Sequence, residues 1–136
     1  MAKSDAAELQ FLNFAFKGTT IPWESNTELY ISLHTSSPGE SGSQDTAEAT
    51  YYGYERKAVA RSSLGWSVGA SGVTNNLLLE WPAAASGPEI ISWLGIGTDE
   101  TGSGTLLYYG NLSQPITVNT GTIIKFLPGD IRVVEK

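Results

Sequence analysis

The stretch LYISLHTSSPGESGSQDTAEATYYGYERKAVAR, residues 29–61, opens on a strand pattern, runs through polar sequence and returns to a strand pattern. Leu29, Ile31 and Leu33 alternate with Tyr30, Ser32 and His34, the period-two signature of a half-buried strand, and Val59 sits in a similar pattern at the far end. Between them, residues 35–50 hold four serines, two glycines, one proline and the acids Glu40, Asp45 and Glu48, with Ala47 and Ala49 as their only apolar side chains. A segment of that composition cannot bury itself. Loops of this length without secondary structure of their own are usually functional or disordered, so the expectation is a displayed loop on a β scaffold.

The rest of the chain extends that scaffold. Gly65 and Gly69 flank a short strand about Trp66 and Val68; residues 73–81 form another, with Asn75 and Asn76 available for a bulge or turn, and Pro82 stops it. EIISWLGIG, residues 89–97, is nearly all apolar and reads as a strand buried on both faces. Short strands at 106–109, 116–118, 123–126 and 130–134 are separated by Gly110, Pro115, Asn119 with Gly121, and Pro128-Gly129. About eight strands at this spacing predict an all-β fold, a single-domain sandwich or small barrel.

Before the scaffold comes a helix. Ser4 is placed to cap it, Asp5 and Glu8 lie near its positive end, and Gly18 follows its last turn. Leu9, Leu12 and Phe16 recur at three- and four-residue spacing, with Phe11, Phe14 and Ala15 expected to widen the stripe. Such a face either packs on its own domain, the arrangement favoured for a terminal helix, or enters a neighbouring subunit. The chain divides as a helix or arm over 1–18 and a β domain over 19–136.

Composition narrows function by exclusion. The 136 residues carry 14 acids against 8 bases, for a formal charge of −6, and the bases are dispersed. A phosphate-binding surface needs them clustered, so no direct nucleic-acid partner is expected. No apolar run approaches the ~20 residues of a membrane span, and the first residues lack a signal-peptide pattern, so a soluble protein made in the cytosol is expected, with no membrane partner. Cysteine is absent, which excludes disulfides and thiolate metal sites.

No catalytic constellation stands out. His34 is the only histidine, and it has neither a Gly-x-Ser-x-Gly nucleophile motif nor the companions of a zinc site; it reads as a loop-edge side chain with a local hydrogen bond. The glycine-rich run at 95–104 lacks the Lys-Ser/Thr and following helix of a phosphate loop, and Asp99-Glu100 would repel an anion, so a hairpin loop is expected. Asp45, Glu48, Asp99 and Glu100 match no calcium-loop spacing. The expectation is a protein that is not an enzyme and has no cofactor and no metal. Aromatic residues carry more information: Tyr51, Tyr52 and Tyr54 cluster where the polar loop meets the next strand, a composition suited to an interface.

Leu29-Tyr-Ile-Ser-Leu-His34-Thr with Pro38-Gly39-Glu40, then Glu48-Ala-Thr-Tyr51-Tyr-Gly-Tyr54-Glu-Arg56, resemble a family of small virion proteins of tailed bacteriophages. The similarity continues through Trp66-Ser67-Val68, Asn75-Asn76, Ile96-Gly97-Thr98, Leu106-Leu107-Tyr108-Tyr109-Gly110-Asn111-Leu112, Val118-Asn119-Thr-Gly121 and Phe126-Leu-Pro-Gly129, and spans about residues 12–133. Members carry the labels tail fibre protein or head decoration (cement) protein. The resemblance implies a structural virion protein. Compact size without repeats or a shaft-like segment favours capsid decoration on the head surface, where many copies, in trimers as one arrangement, would bind the major capsid protein and each other and stabilise the assembled shell by mass action. The alternative is a tail-fibre or tail-associated module that binds host-surface glycan. Leu9, Leu12, Phe16, Trp23, Tyr51, Tyr52 and Tyr54 are the candidate contact residues, being the apolar features a β core explains least.

Overall fold

The computed structural model describes residues 1–135; Lys136, the last residue of the expected β domain, lies outside them. In order the elements are β1 (Ala2–Lys3), α1 (Asp5–Lys17), β2 (Glu28–His34), β3 (Lys57–Ala60), β4 (Trp66–Gly69), β5 (Gly72–Asn75), β6 (Leu79–Glu80), β7 (Glu89–Gly97), β8 (Leu106–Val118), β9 (Lys125–Phe126) and β10 (Arg132–Val133). A five-stranded sheet runs β1-β8-β7-β2-β3, a three-stranded sheet β10-β5-β4, and β6 pairs with β9. Among the described residues every pairing is antiparallel and no sheet closes on itself, so the fold is an all-β sandwich with an N-terminal helix.

Alternation along β2 sets the layers. Ile31 pairs across to Ile96 and Leu33 to Leu94, and these side chains enter a core shared with Trp66 and Val133 of the three-stranded sheet and Leu79 of the two-stranded one. Trp81 closes the core under β6, with its indole N–H donating to the Glu55 carbonyl at 2.8 Å.

The opposite face of β2 is the first departure from expectation. Ser32 and His34 are fully buried, so this half of the strand is covered on both sides. The cover is the polar loop 35–50. Half of the loop stays exposed, but it is anchored by hydrogen bonds in place of apolar area: Gln44 inserts its side chain against residue 99, donating from Nε2 to the Asp99 carbonyl and accepting from the Asp99 N–H, both at 3.0 Å. The Gln44 N–H reaches the Ser103 carbonyl at 2.9 Å, and Ala49 returns to the sheet by donating to the Leu33 carbonyl at 2.8 Å. A buried amide is tolerated when each polar atom is matched, as here.

Two strand assignments and the burial of a third strand also differ. Residues 73–81 split into β5 and β6, because Asn75 turns inward and ties segments together: its Oδ1 accepts from the Ile131 N–H at 2.9 Å and its Nδ2 donates to the Leu77 and Leu127 carbonyls. The expected strands at 106–109 and 116–118 are one strand, β8, that passes through Gly110 and Pro115. Proline fits because the ladder is irregular there: Ile91 opposes Ile116 while Trp93 opposes Asn111, leaving β8 with residues that face no partner on β7. β7 is buried on both faces only toward its C-terminal end; Ile90 is exposed.

Candidate interaction surface

Helix α1 starts and stops where its sequence dictates. Ser4 caps it, accepting from the Ala7 N–H at 3.1 Å, and Gly18 ends it in the left-handed conformation at φ 67°, donating to the Asn13 carbonyl. The helix is fixed to the rest of the chain at its N-terminal end and again at its middle, while its last turns are exposed. Ahead of it, β1 pairs with β8 and Ser4 N–H bonds the Leu107 carbonyl at 3.2 Å; Asp5 N–H bonds Glu40 of the polar loop at 2.8 Å. Further along, Gln10 Oε1 accepts from the Trp23 indole at 2.7 Å, and Phe11 meets the Trp23 ring edge-on at 5.9 Å between centroids.

Those anchors decide which way the apolar stripe points. At 3.6 residues per turn, Leu9, Leu12 and Phe16 fall within about 60° of arc, while Phe11 lies roughly 130° and Ala7 roughly 170° around the helix from their centre. Ala7 is fully buried against the sandwich, so the stripe faces away from it: Leu9 is 61%, Leu12 55% and Phe16 84% exposed. Packing on its own domain, the arrangement expected for a terminal helix, is therefore limited to the Ala7 and Phe11 side. Phe11 and Phe14 do not widen the stripe.

Trp23 occupies a different place. It lies between Phe11 and the Arg61 guanidinium, whose carbon stands 5.1 Å from the ring centroid, and it lines an apolar groove of about 630 Å³. Leu29, Ile96 and Leu107 of the large sheet form one wall, and Trp66, Val68, Val73 and Val133 of the three-stranded sheet form the other. At the rim, Glu135 pairs with Lys3 and accepts from the Tyr108 hydroxyl at 2.6 Å. The hydrogen bonds from Lys3 and then Tyr108 hold the Glu135 carboxyl below its usual range, and burial with the Glu135 contact pushes the Tyr108 phenol up.

The tyrosine turn is mostly internal. Tyr51 is buried and packs edge-on with Tyr54 at 5.6 Å. Tyr54 donates its hydroxyl to Glu48 and accepts from the Leu33 N–H, so it serves as a strut under the polar loop. Burial, reinforced by the Glu48 hydrogen bond, drives its phenol far above the ordinary range. Tyr52 alone of the three is turned outward, at 75% exposure. The seven candidate residues thus separate into an outward stripe (Leu9, Leu12, Phe16), a groove residue (Trp23), a buried core ring (Tyr51), a half-buried strut (Tyr54) and one exposed ring (Tyr52).

The glycine-rich run has a steric explanation. A Cβ on Gly95 would stand 2.7 Å from Ser32 Oγ and 2.9 Å from His34 Nε2, and one on Gly97 would stand 2.1 Å from Gln44 Cδ. These glycines make room on β7 for buried polar side chains. His34 stands at the strand end beside the loop with local hydrogen bonds, as expected, but is fully buried there: Nδ1 is 2.8 Å from the Thr46 carbonyl and Nε2 is 2.7 Å from Ser32 Oγ. A carbonyl only accepts, so Nδ1 carries a proton, and in the neutral imidazole Nε2 accepts from the Ser32 hydroxyl. Burial lowers its pKa, and the Thr46 hydrogen bond opposes that only in part.

The groove walls were not among the expected contact residues. Their signal was present in β4 and β5, where Trp66 and Val68 share one face and Val68 pairs with Val73, although Val68 is 80% exposed. An apolar residue of that exposure at the end of a strand face marks an opening in the sandwich.

The family model described as Podophage GP4 fiber I protein gp80 matches residues 2–134, nearly the whole chain, and the chain belongs to that family of phage virion proteins. It is a structural protein of a tailed phage. No curated protein matches the sequence.

Proposed function

We propose that this protein is a non-enzymatic building block of the virion, a small fibre module that is held in place through the outward face of α1. The observation that carries this reading is the stripe of Leu9, Leu12 and Phe16, which the helix anchors turn into solvent. An apolar ridge on a rigid mount is a contact waiting for a neighbour. The family description, a fibre protein, supports the tail as its place.

A head-decoration role is the second reading, favoured by one observation. The described residues form a sandwich with one helix and contain no coiled-coil or repeat from which a shaft is built. In that position the protein would bind the major capsid protein and stabilise the shell by occupying only its assembled form. Copy number separates the two: quantitative mass spectrometry of purified virions should give a small multiple of the tail's fibre count for a fibre module, and hundreds per particle for a decoration protein. Immunogold labelling of the tail supports the first reading, and labelling of the head overturns it.

A further inference from the structure

The outward ridge and the apolar groove belong to the same chain and cannot meet within it. Phe11, on the inward side of α1, already lines the groove, and turning Leu12 toward it would require breaking the Ser4 cap, the β1–β8 pairing and the Gln10–Trp23 hydrogen bond together. Each surface must therefore be covered by another molecule if it is covered at all.

We propose that the occupant of the groove is α1 of a second copy. Leu9, Leu12 and Phe16 are the i, i+3 and i+7 anchors of a helix that lays an apolar face into a hydrophobic groove, and the groove offers about 630 Å³ of mostly apolar-lined space between the two sheets. Charge agrees with the pairing. Asp5 and Glu8 are exposed beside the ridge, and of the groove's charged residues Glu135 is already matched by Lys3, whereas Arg61, held by the Glu24 and Asn26 carbonyls and stacked on Trp23, has no carboxylate within ion-pair distance among the described residues. Ridge and groove are different surfaces, so the contact runs head to tail and generates a closed ring, such as a trimer, or an open chain. Two leucines and one phenylalanine bury well under the roughly 800 Å² per partner of a standard interface. A single contact is accordingly weak, and closure or repetition makes it strong.

This inference rests on reading the ridge as an assembly contact, and it is tested separately from it. Because the chain has no cysteine, Leu12→Cys and Val68→Cys each introduce one thiol, on the ridge and on the groove wall respectively. The two variants are mixed, treated with a short bismaleimide and compared with each variant alone, and the double variant is treated in the same way within purified virions. The expected result is a cross-linked dimer in the mixture, severalfold above either single variant, that disappears when Phe16→Asp is added to the ridge partner. Equal cross-linking by Leu12→Cys alone, which means ridge on ridge, overturns the proposal, as does cross-linking in virions only to a different protein. Absence of any cross-link in solution and in virions overturns it as well. Incorporation of the variants into particles, measured alongside, reports on the assembly reading independently.

Discussion

Arg56 and Glu48 meet as a forked pair at the base of the polar loop, Nε to Oε2 at 2.8 Å and Nη2 to Oε1 at 2.9 Å. Both side chains are largely buried, and Arg56 also donates to the Asp99 and Gly102 carbonyls, so one guanidinium joins the polar loop to the β7–β8 hairpin loop. Removing one partner of a buried pair leaves the other charge unmatched, at about 3–5 kcal/mol. Glu48→Gln should lower stability by about 3 kcal/mol and the melting temperature by about 10 °C. The Glu48→Gln, Arg56→Met double variant should lose less than the two single losses combined, as urea titrations of all three variants would show.

Gly97 is the space into which Gln44 fits. Gly97→Ala places a methyl group on the Gln44 amide, and overpacking of this kind costs about 1–3 kcal/mol. Its effect should be local. Limited proteolysis should cut residues 35–50 faster in Gly97→Ala than in the parent, at a temperature where both keep the same circular dichroism spectrum; equal cutting would show that Gln44 does not hold the loop.

Acid should weaken the fold through His34. Its folded pKa lies below the ordinary 6.5, so under about pH 6.5 the unfolded chain takes up a proton that the folded chain takes up only at lower pH. Stability from this group is complete above that value and falls as the pH drops toward the folded pKa. Glu135 is shifted down from 4.5 and loses its contribution only in a lower window, so unfolding between pH 7.5 and 5.5 isolates the histidine. His34→Gln should reduce stability at pH 7.5 and flatten the slope across that interval.

Much of the architecture was legible because local chemistry and tertiary position agree. Ser4 and Gly18 bound the helix in sequence and in space, and the β2 alternation assigned Ile31 and Leu33 to the core. What escaped was set by distant partners. Gln44 is buried because the backbone of Asp99 matches its amide, 55 positions along the chain, and nothing near residue 44 signals that match. Pro115 reads as a strand break until the irregular register opposite β7 is known. At the candidate surface, the spacing of Leu9, Leu12 and Phe16 showed which residues share a face; the direction of that face depends on Trp23 holding Gln10 and Phe11. Tyr51 and Tyr54 had a composition suited to an interface, yet they serve the loop from beneath.

The central claim is that α1 presents an assembly contact, and the Leu12→Asp, Phe16→Asp variant addresses it most directly. Both residues are more than half exposed, so the variant should fold with the parent's spectrum and melting temperature within a few degrees. Supplied in trans to a phage lacking the wild-type gene, it should be missing from purified virions, at less than about a tenth of the wild-type amount if the contact contributes even ~1.4 kcal/mol under limiting conditions. Recovery of the folded variant in virions at the wild-type amount would contradict the claim.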